Sequence, residues 1–103
     1  MKRTEVLNNA NQIINGERQE AYGTPEDNFA KIAAMWSAYL DAVITPEDVA
    51  AMMILLKTAR VASGQKIADN WIDIAGYAAC GGEIQTRNDG IGVMDPGEMT
   101  WTE

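Results

Sequence analysis

Apolar residues recur at helical spacing along most of this chain. From Thr4 to Asn15 they return every three or four positions and form one narrow stripe, which predicts a first helix over this stretch. Asn15 followed by Gly16 indicates where that helix ends. The stripe consists of Val6, Leu7, Ala10, Ile13 and Ile14.

The tetrapeptide Thr-Pro-Glu-Asp occurs twice, at residues 24–27 and 45–48. In each copy the threonine suits a helix N-cap, the proline suits the first turn, and the two acids favour the positive end of a helix dipole. We therefore predict a second helix over 25–43 and a third over 46–61. The recurrence is interpreted as one helix-start signal used twice, and not as an internal repeat.

The third and fourth helices carry two unusual features. Residues 49–56 are apolar on almost every side, which is typical of a central, buried helix. After a turn at 63–66, the fourth helix is predicted from about Asp69 to Gly81 or a little beyond. Gly76 inside it is unfavourable for a helix, so we expect another helix or a ligand to approach closely there.

Nothing between Arg3 and Arg87 alternates strictly as a strand would, and from Asn88 onward turn signals replace the periodicity. The sequence thus predicts an all-α, four-helix bundle-like single domain over 1–87, followed by an irregular or loosely docked C-terminal tail over 88–103. The narrow stripe of the first helix and the apolar third helix lead us to expect a homo-oligomer.

Composition restricts the possible functions. The net charge is −7 with only eight lysines and arginines, so binding of duplex nucleic acid is not expected. With no histidine and a single cysteine, Cys80, the chain cannot form an internal disulfide, a Cys/His zinc site or a histidine-based catalytic site. No apolar run is long enough for a membrane span, and the N-terminus is unlike a signal peptide. We expect a cytoplasmic protein.

Two cations and two carboxylates are placed to meet between the last two helices. Lys57 and Arg60 share a face of the third helix, and Asp69 and Asp73 share a face of the fourth. The short turn makes these helices antiparallel, so Lys57 is expected level with Asp73. Arg60 is likewise expected level with Asp69. Burying such groups is costly unless they are paired or bind a ligand.

This charged cluster has two interpretations. It could consist of interhelical salt bridges that fix the register of the helices. Alternatively it could bind a phosphorylated ligand, with Arg60 gripping a phosphate through its planar fork and Lys57 adding a point charge. Asp69 and Asp73 would then accept hydrogen bonds from ribose hydroxyls or hold Mg²⁺.

Further candidate ligand-binding residues lie near this cluster in the sequence. Arg18, Tyr22 and Asn28 flank the first loop, which could fold over the site. Tyr22 could stack on a base, although an exposed loop tyrosine needs no such role. Asn70 and Tyr77 accompany the two aspartates on the fourth helix.

These spaced motifs resemble a family of short phage and prophage proteins of unassigned function. The match covers roughly residues 17 to 86. It is carried by Arg18, Tyr22-Gly23, Asn28-Phe29, Lys57-x-x-Arg60, Asp69-Asn70-x-x-Asp73 and Gly76-Tyr77. The resemblance implies a protein of the host cytosol that binds or disposes of nucleotides, including host immune signals.

More distantly, the helical layout is similar to the MazG-like all-α nucleoside triphosphate pyrophosphohydrolases. That resemblance implies an oligomer that binds Mg²⁺ through four acids on two helices and cleaves between the α and β phosphates. Asp69 and Asp73 could replace one acid pair and would then be the metal ligands. The sequence departs from the pattern opposite them, where Lys57 and Arg60 are cations.

Three hypotheses follow. The leading one is an anti-defence protein that binds a nucleotide-like ligand and sequesters a host nucleotide signal, with no cofactor assigned. The alternative is a MazG-like, Mg²⁺-dependent pyrophosphohydrolase, because the acids resemble half of its metal site; its catalytic residues are unassigned. The third is a structural or interaction module without a ligand, in which the charged pairs only fix packing.

Overall fold

The structure is a computed structural model that describes residues 1–16 and 23–89. Within these ranges it contains four helices and no strand, which confirms the predicted all-α class. Helix α1 comprises Arg3–Asn15, α2 Pro25–Leu40, α3 Pro46–Ala62 and α4 Ala68–Asp89. None of these described helices has both the length and the apolar character needed to cross a bilayer.

The two Thr-Pro-Glu-Asp segments begin α2 and α3, as predicted. The hydroxyl of Thr24 accepts a hydrogen bond from the backbone N–H of Asp27 at 3.2 Å. At α3 the bonding is reciprocal: the Thr45 hydroxyl accepts from the N–H of Asp48 at 3.1 Å, and the Asp48 carboxylate accepts from the N–H of Thr45 at 3.0 Å. Each cap satisfies N–H groups that have no partner inside the helix.

Helix α2 ends at Leu40, earlier than the predicted Val43. Asp41 adopts a left-handed conformation with φ 51°, and its N–H donates to the Ser37 carbonyl. The Ser37 hydroxyl then holds the turn, because it accepts from the N–H of Ile44 at 2.9 Å and donates to the Ile44 carbonyl at 3.2 Å. Val43 lies in this turn and is exposed.

Helix α4 continues to Asp89, farther than the predicted end at Gly81 or a little beyond. Ile84 is only 1% exposed and belongs to the buried core, so its burial stabilises the continued helix. That burial outweighs the unfavourable helix propensity of the glycines, each about 1 kcal/mol relative to alanine. The first two residues of the predicted tail therefore belong to α4, and residues 90–103 lie outside the described part of the chain.

Helix α4 is the central element. It packs most extensively on α3 and also on α1, while α2 packs mainly on α3. The buried core cluster comprises Phe29, Ala33, Val49, Ala50, Cys80 and Ile84. Cys80, the single cysteine, is buried in this core.

The prediction that α3 is buried on every side is wrong for the single chain. Val49 and Ala50 are fully buried, but Leu55 is 66% exposed. The sequence predicted burial from apolar character alone, whereas α2 and α4 cover only part of the α3 surface. Other exposed apolar residues on α2, α3 and α4 include Met35, Tyr39, Met52, Leu56 and Trp71. Oligomerisation stays a prediction.

Candidate functional site

An ion pair between Lys57 and Asp73 joins α3 to α4. The Lys57 Nζ lies 2.8 Å from Asp73 Oδ2, and the two side chains are 13% and 18% exposed. The prediction that these residues come level on antiparallel helices is confirmed. Because both groups are largely withdrawn from water, the pair is expected to be stronger than an ion pair on the open surface.

Arg60 and Asp69 do not join this pair. Both are exposed, and no ion pair connects them among the residues that the structure describes. A helix turns by about 100° per residue, so Arg60 points about 60° away from Lys57. Arg60 instead lines a surface groove with Leu56, Ala59, Ser63 and Gln65.

Asn70 lies in the first turn of α4, beside the turn that joins α3 to α4. Asn70 is only 1% exposed, and its Nδ2 donates to Gln65 Oε1 at 2.9 Å. Its backbone N–H also donates to the Ile67 carbonyl at 3.4 Å. Asn70 is absent from the lining of the cavity described next, and its contacts give it a structural role in holding the turn.

A cavity of about 370 Å³ lies between α1, α2 and α4, with Met53 of α3 in its wall. Three polar side chains line it, Asn28, Asp73 and Tyr77, all of them candidates from the sequence. Its volume is in the range of small-molecule sites, which are mostly apolar with a few polar groups. The remaining lining residues are Ala10, Ile13, Ile14, Gly23, Pro25, Phe29, Ile32, Met53, Ile72, Gly76 and Cys80.

The polar groups of this cavity make few hydrogen bonds to the part of the chain that the structure describes. Asp73 Oδ2 is bound to Lys57, and Asp73 has no other hydrogen bond or ion pair with the residues described. The Asn28 amide and the Tyr77 hydroxyl likewise have no hydrogen bond to the described part of the chain. The cavity therefore offers a carboxylate acceptor, an amide with donors and an acceptor, and a hydroxyl.

Aromatic residues form part of the cavity wall. The rings of Phe29 and Tyr77 have centroids 6.2 Å apart and are tilted by 35°. Their separation lies within the range at which aromatic side chains interact favourably. A flat apolar ligand can pack against such a wall while its polar edge reaches the Tyr77 hydroxyl.

Gly76 lets α1 approach α4 beside the cavity. A Cβ atom built on Gly76 would lie 3.1 Å from Ile14 Cγ2, which is tighter than ordinary van der Waals contact. The expected close approach of another element at Gly76 is therefore confirmed. Ile13, Ile14 and Ala10 of α1 line the cavity as well, and the sequence had not indicated that α1 contributes to the site.

A four-acid metal site of the MazG-like kind does not assemble in the part of the chain that is described. No group of three or more Asp, Glu, Cys or His residues there could hold a metal ion. Asp69 is exposed at the start of α4, whereas Asp73 is paired with Lys57. This donor set does not fit Mg²⁺, which prefers carboxylates with octahedral oxygen ligation. Arg18 and Tyr22 lie outside the described residues.

A second long-range ion pair was not predicted. Arg87, near the end of α4, pairs with Glu26 in the first turn of α2, and its other nitrogen lies 3.7 Å from Glu83 Oε2. These residues line a second cavity of about 530 Å³, which shares Ala10, Ile14, Pro25 and Cys80 with the first. Because Glu26 and Arg87 are far apart in the sequence, no spacing rule could connect them.

Comparisons with known proteins place the chain among phage relatives. The sequence pattern of a family described as a domain of unknown function (DUF6378) matches residues 5–85. The Gene 55 protein of Mycobacterium phage L5 is 46% identical over 85 residues, which cover 82% of this chain and 54% of that protein. The Gene 55 protein of Mycobacterium phage D29 is 45% identical over 75 residues, which cover 73% and 50%.

The chain spans about half the length of these curated relatives. No solved structure matches it.

Proposed function

The chain belongs to the DUF6378 family, whose function is unknown, and we propose that it binds the nucleoside part of a nucleotide-like ligand in the cavity between α1, α2 and α4. One observation carries this proposal. Asn28, Asp73 and Tyr77 converge on an apolar cavity without using their full hydrogen-bonding capacity on the described residues.

The chemistry of the lining matches a nucleoside better than a purely apolar ligand. The Asn28 amide offers donors and an acceptor, as the edge of a base requires. The Asp73 carboxylate only accepts hydrogen bonds, which suits ribose hydroxyls. Phe29 and Tyr77 provide aromatic surface, on which bases of any sequence can pack.

Phosphates are proposed to remain outside this cavity. The sequence interpretation assigned them to Lys57 and Arg60. Lys57 is occupied by Asp73, and Arg60 lines a separate groove. Asp73 is the charged residue in the described lining, and a phosphate beside its carboxylate would be repelled. In this proposal the nucleoside part lies inside the cavity and the phosphate part extends into solvent.

The distribution of acidic residues favours binding of the ligand without cleavage. Hydrolysis would need acids to hold Mg²⁺, and the described residues provide no such group. The alternative of a structural module also has support, because the Lys57–Asp73 pair joins α3 to α4 and the Glu26–Arg87 pair joins α2 to α4. It does not explain why three polar side chains line an apolar cavity. Sequestration of a host nucleotide signal is the proposed use of such binding.

Thermal unfolding with four ribonucleosides and their 5′-phosphates tests the binding proposal. A ligand at 100 times its Kd should stabilise the fold by about 2.7 kcal/mol. In isothermal titration, Tyr77→Phe and Asn28→Ala should each raise the Kd about tenfold, because each removes a hydrogen bond to the ligand. Tyr39→Phe is the matched control, since Tyr39 is exposed and lies outside the cavity lining.

Two results would contradict binding in this cavity. One is the absence of stabilisation by every nucleoside and nucleotide at millimolar concentration. The other is binding that Tyr77→Phe and Asn28→Ala leave unchanged.

Analysis of the ligand after incubation with Mg²⁺ separates binding from hydrolysis. Unchanged nucleotide recovered after heat denaturation supports sequestration. Release of pyrophosphate that disappears in Asp73→Asn would instead support the hydrolase and contradict binding without cleavage.

A further inference from the structure

The Lys57–Asp73 pair has a defined orientation relative to the cavity. Asp73 lines the cavity, whereas Lys57 does not. The ammonium group of Lys57 contacts Oδ2 at 2.8 Å, and no described residue bonds to Oδ1. The pair therefore presents its acidic member to a ligand and keeps its basic member behind it.

This orientation determines what a ligand can offer at Asp73. A carboxylate accepts hydrogen bonds but donates none, so its partner must carry an O–H or N–H group. A base edge mixes donors and acceptors and is matched by an amide such as that of Asn28. The hydroxyls of a ribose can donate hydrogen bonds to a carboxylate. A deoxyribose lacks one of these hydroxyls, the one at the 2′ position.

We propose that the Lys57–Asp73 pair makes the site selective for ribose over deoxyribose, with Asp73 determining specificity and Lys57 acting as a positioning residue. This inference rests on the proposed nucleoside binding and deepens it by naming the sugar. Lys57 holds Oδ2 by a charge-assisted hydrogen bond, which fixes the plane of the carboxylate and leaves Oδ1 for the sugar.

The neighbouring cavity does not offer a phosphate site either. Its charged lining consists of Glu26, Glu83 and Arg87, two carboxylates against one guanidinium. Arg87 is already engaged by Glu26. A phosphate on the sugar hydroxyls would therefore find no uncompensated cation among the described lining residues of either cavity.

Titration calorimetry with matched sugars tests the inference. The ribonucleoside that binds most tightly is compared with its 2′-deoxy and 3′-deoxy analogues. For the unmodified chain, the 2′-deoxy analogue should bind about tenfold to a hundredfold more weakly, as expected when a hydrogen bond to a charged group is lost. The double variant Lys57→Met with Asp73→Leu should bind all three sugars with similar affinity.

That double variant is chosen because the fold should tolerate it. Replacing an ion pair by apolar residues of similar volume is often neutral or stabilising. A charge-swapped variant, Lys57→Asp with Asp73→Lys, keeps the ion pair but places the ammonium in the cavity wall. It should bind the ribonucleoside 3′-monophosphate more tightly than the ribonucleoside, whereas the unmodified chain should do the opposite.

Lys57 has its own readout. Lys57→Met should lower the ratio of ribose to deoxyribose affinity, because methionine cannot donate to the Asp73 carboxylate. Lys57→Arg should keep the ratio high, because arginine also donates a charge-assisted hydrogen bond. A role limited to stability would leave this ratio unchanged in every variant that folds, and that result would overturn the assignment of Lys57.

The two proposals fail in distinguishable ways. Equal affinity for ribose and deoxyribose, together with sensitivity to Tyr77→Phe, would overturn the sugar selectivity and leave nucleoside binding intact. The absence of any nucleoside binding would overturn both.

Discussion

Gly81 of α4 lies directly against Ala50 of α3. A Cβ atom on Gly81 would come within 2.9 Å of the Ala50 Cβ, and neither methyl group can rotate away. Gly81→Ala is therefore expected to lower the free energy of unfolding by about 1–3 kcal/mol, as overpacking of a core does. Urea unfolding followed by circular dichroism measures this change.

The adjacent Gly82 provides the matched control. A Cβ atom there would meet nothing within 4 Å. Gly82→Ala should stabilise the protein by up to about 1 kcal/mol, because alanine is the better helix former. If both substitutions changed stability by the same amount, α4 would not contact α3 at Gly81.

The Lys57–Asp73 pair should show a measurable coupling energy. Removing one partner of a fully buried pair costs about 3–5 kcal/mol, and the partial exposure of these side chains reduces the expected cost to about 1–3 kcal/mol. Lys57→Met and Asp73→Asn should each destabilise the fold, and the double variant should lose less than the sum. Additive losses in urea unfolding would mean that the two groups do not interact.

Asn70 is expected to stabilise the α3–α4 turn through the packing of its buried side chain as well as through its hydrogen bond to Gln65. Asn70→Ala removes a buried side chain and should destabilise the protein by about 1–3 kcal/mol. Gln65→Ala removes the same hydrogen bond at an exposed position and should cost about 1 kcal/mol or less. Thermal unfolding of both variants compares them, and equal losses would contradict a role for Asn70 in packing.

The two helix starts should differ in strength. Thr45 is linked to Asp48 by two reciprocal hydrogen bonds, whereas Thr24 accepts one from Asp27. Loss of an N-cap costs about 0.5–2 kcal/mol, and Thr45→Ala should lie nearer the upper value than Thr24→Ala. Thr45→Ser keeps the hydroxyl and should retain most of the stability in a urea titration. An equal loss for Thr45→Ser and Thr45→Ala would exclude the cap as the cause.

The positions of the helices and of one ion pair followed from the sequence. Helical periodicity and the repeated Thr-Pro-Glu-Asp signal are local properties, so they identified four helices and the starts of α2 and α3. A short turn between α3 and α4 favours antiparallel packing, which is why Lys57 and Asp73 could be matched from spacing alone. Three of the proposed ligand-binding residues, Asn28, Asp73 and Tyr77, do line one cavity.

The tertiary structure decided the remaining features, because they depend on contacts between residues distant in the chain. Burial of Ile84 carries α4 past the glycines that a local analysis takes for its end. Packing of α4 on the Lys57 side of α3 leaves Arg60 exposed and outside the pair that Lys57 forms. The approach of α1 to Gly76 builds the wall of the cavity. Local sequence specifies which segments are helical, whereas the packing of their faces determines which polar groups share a cavity.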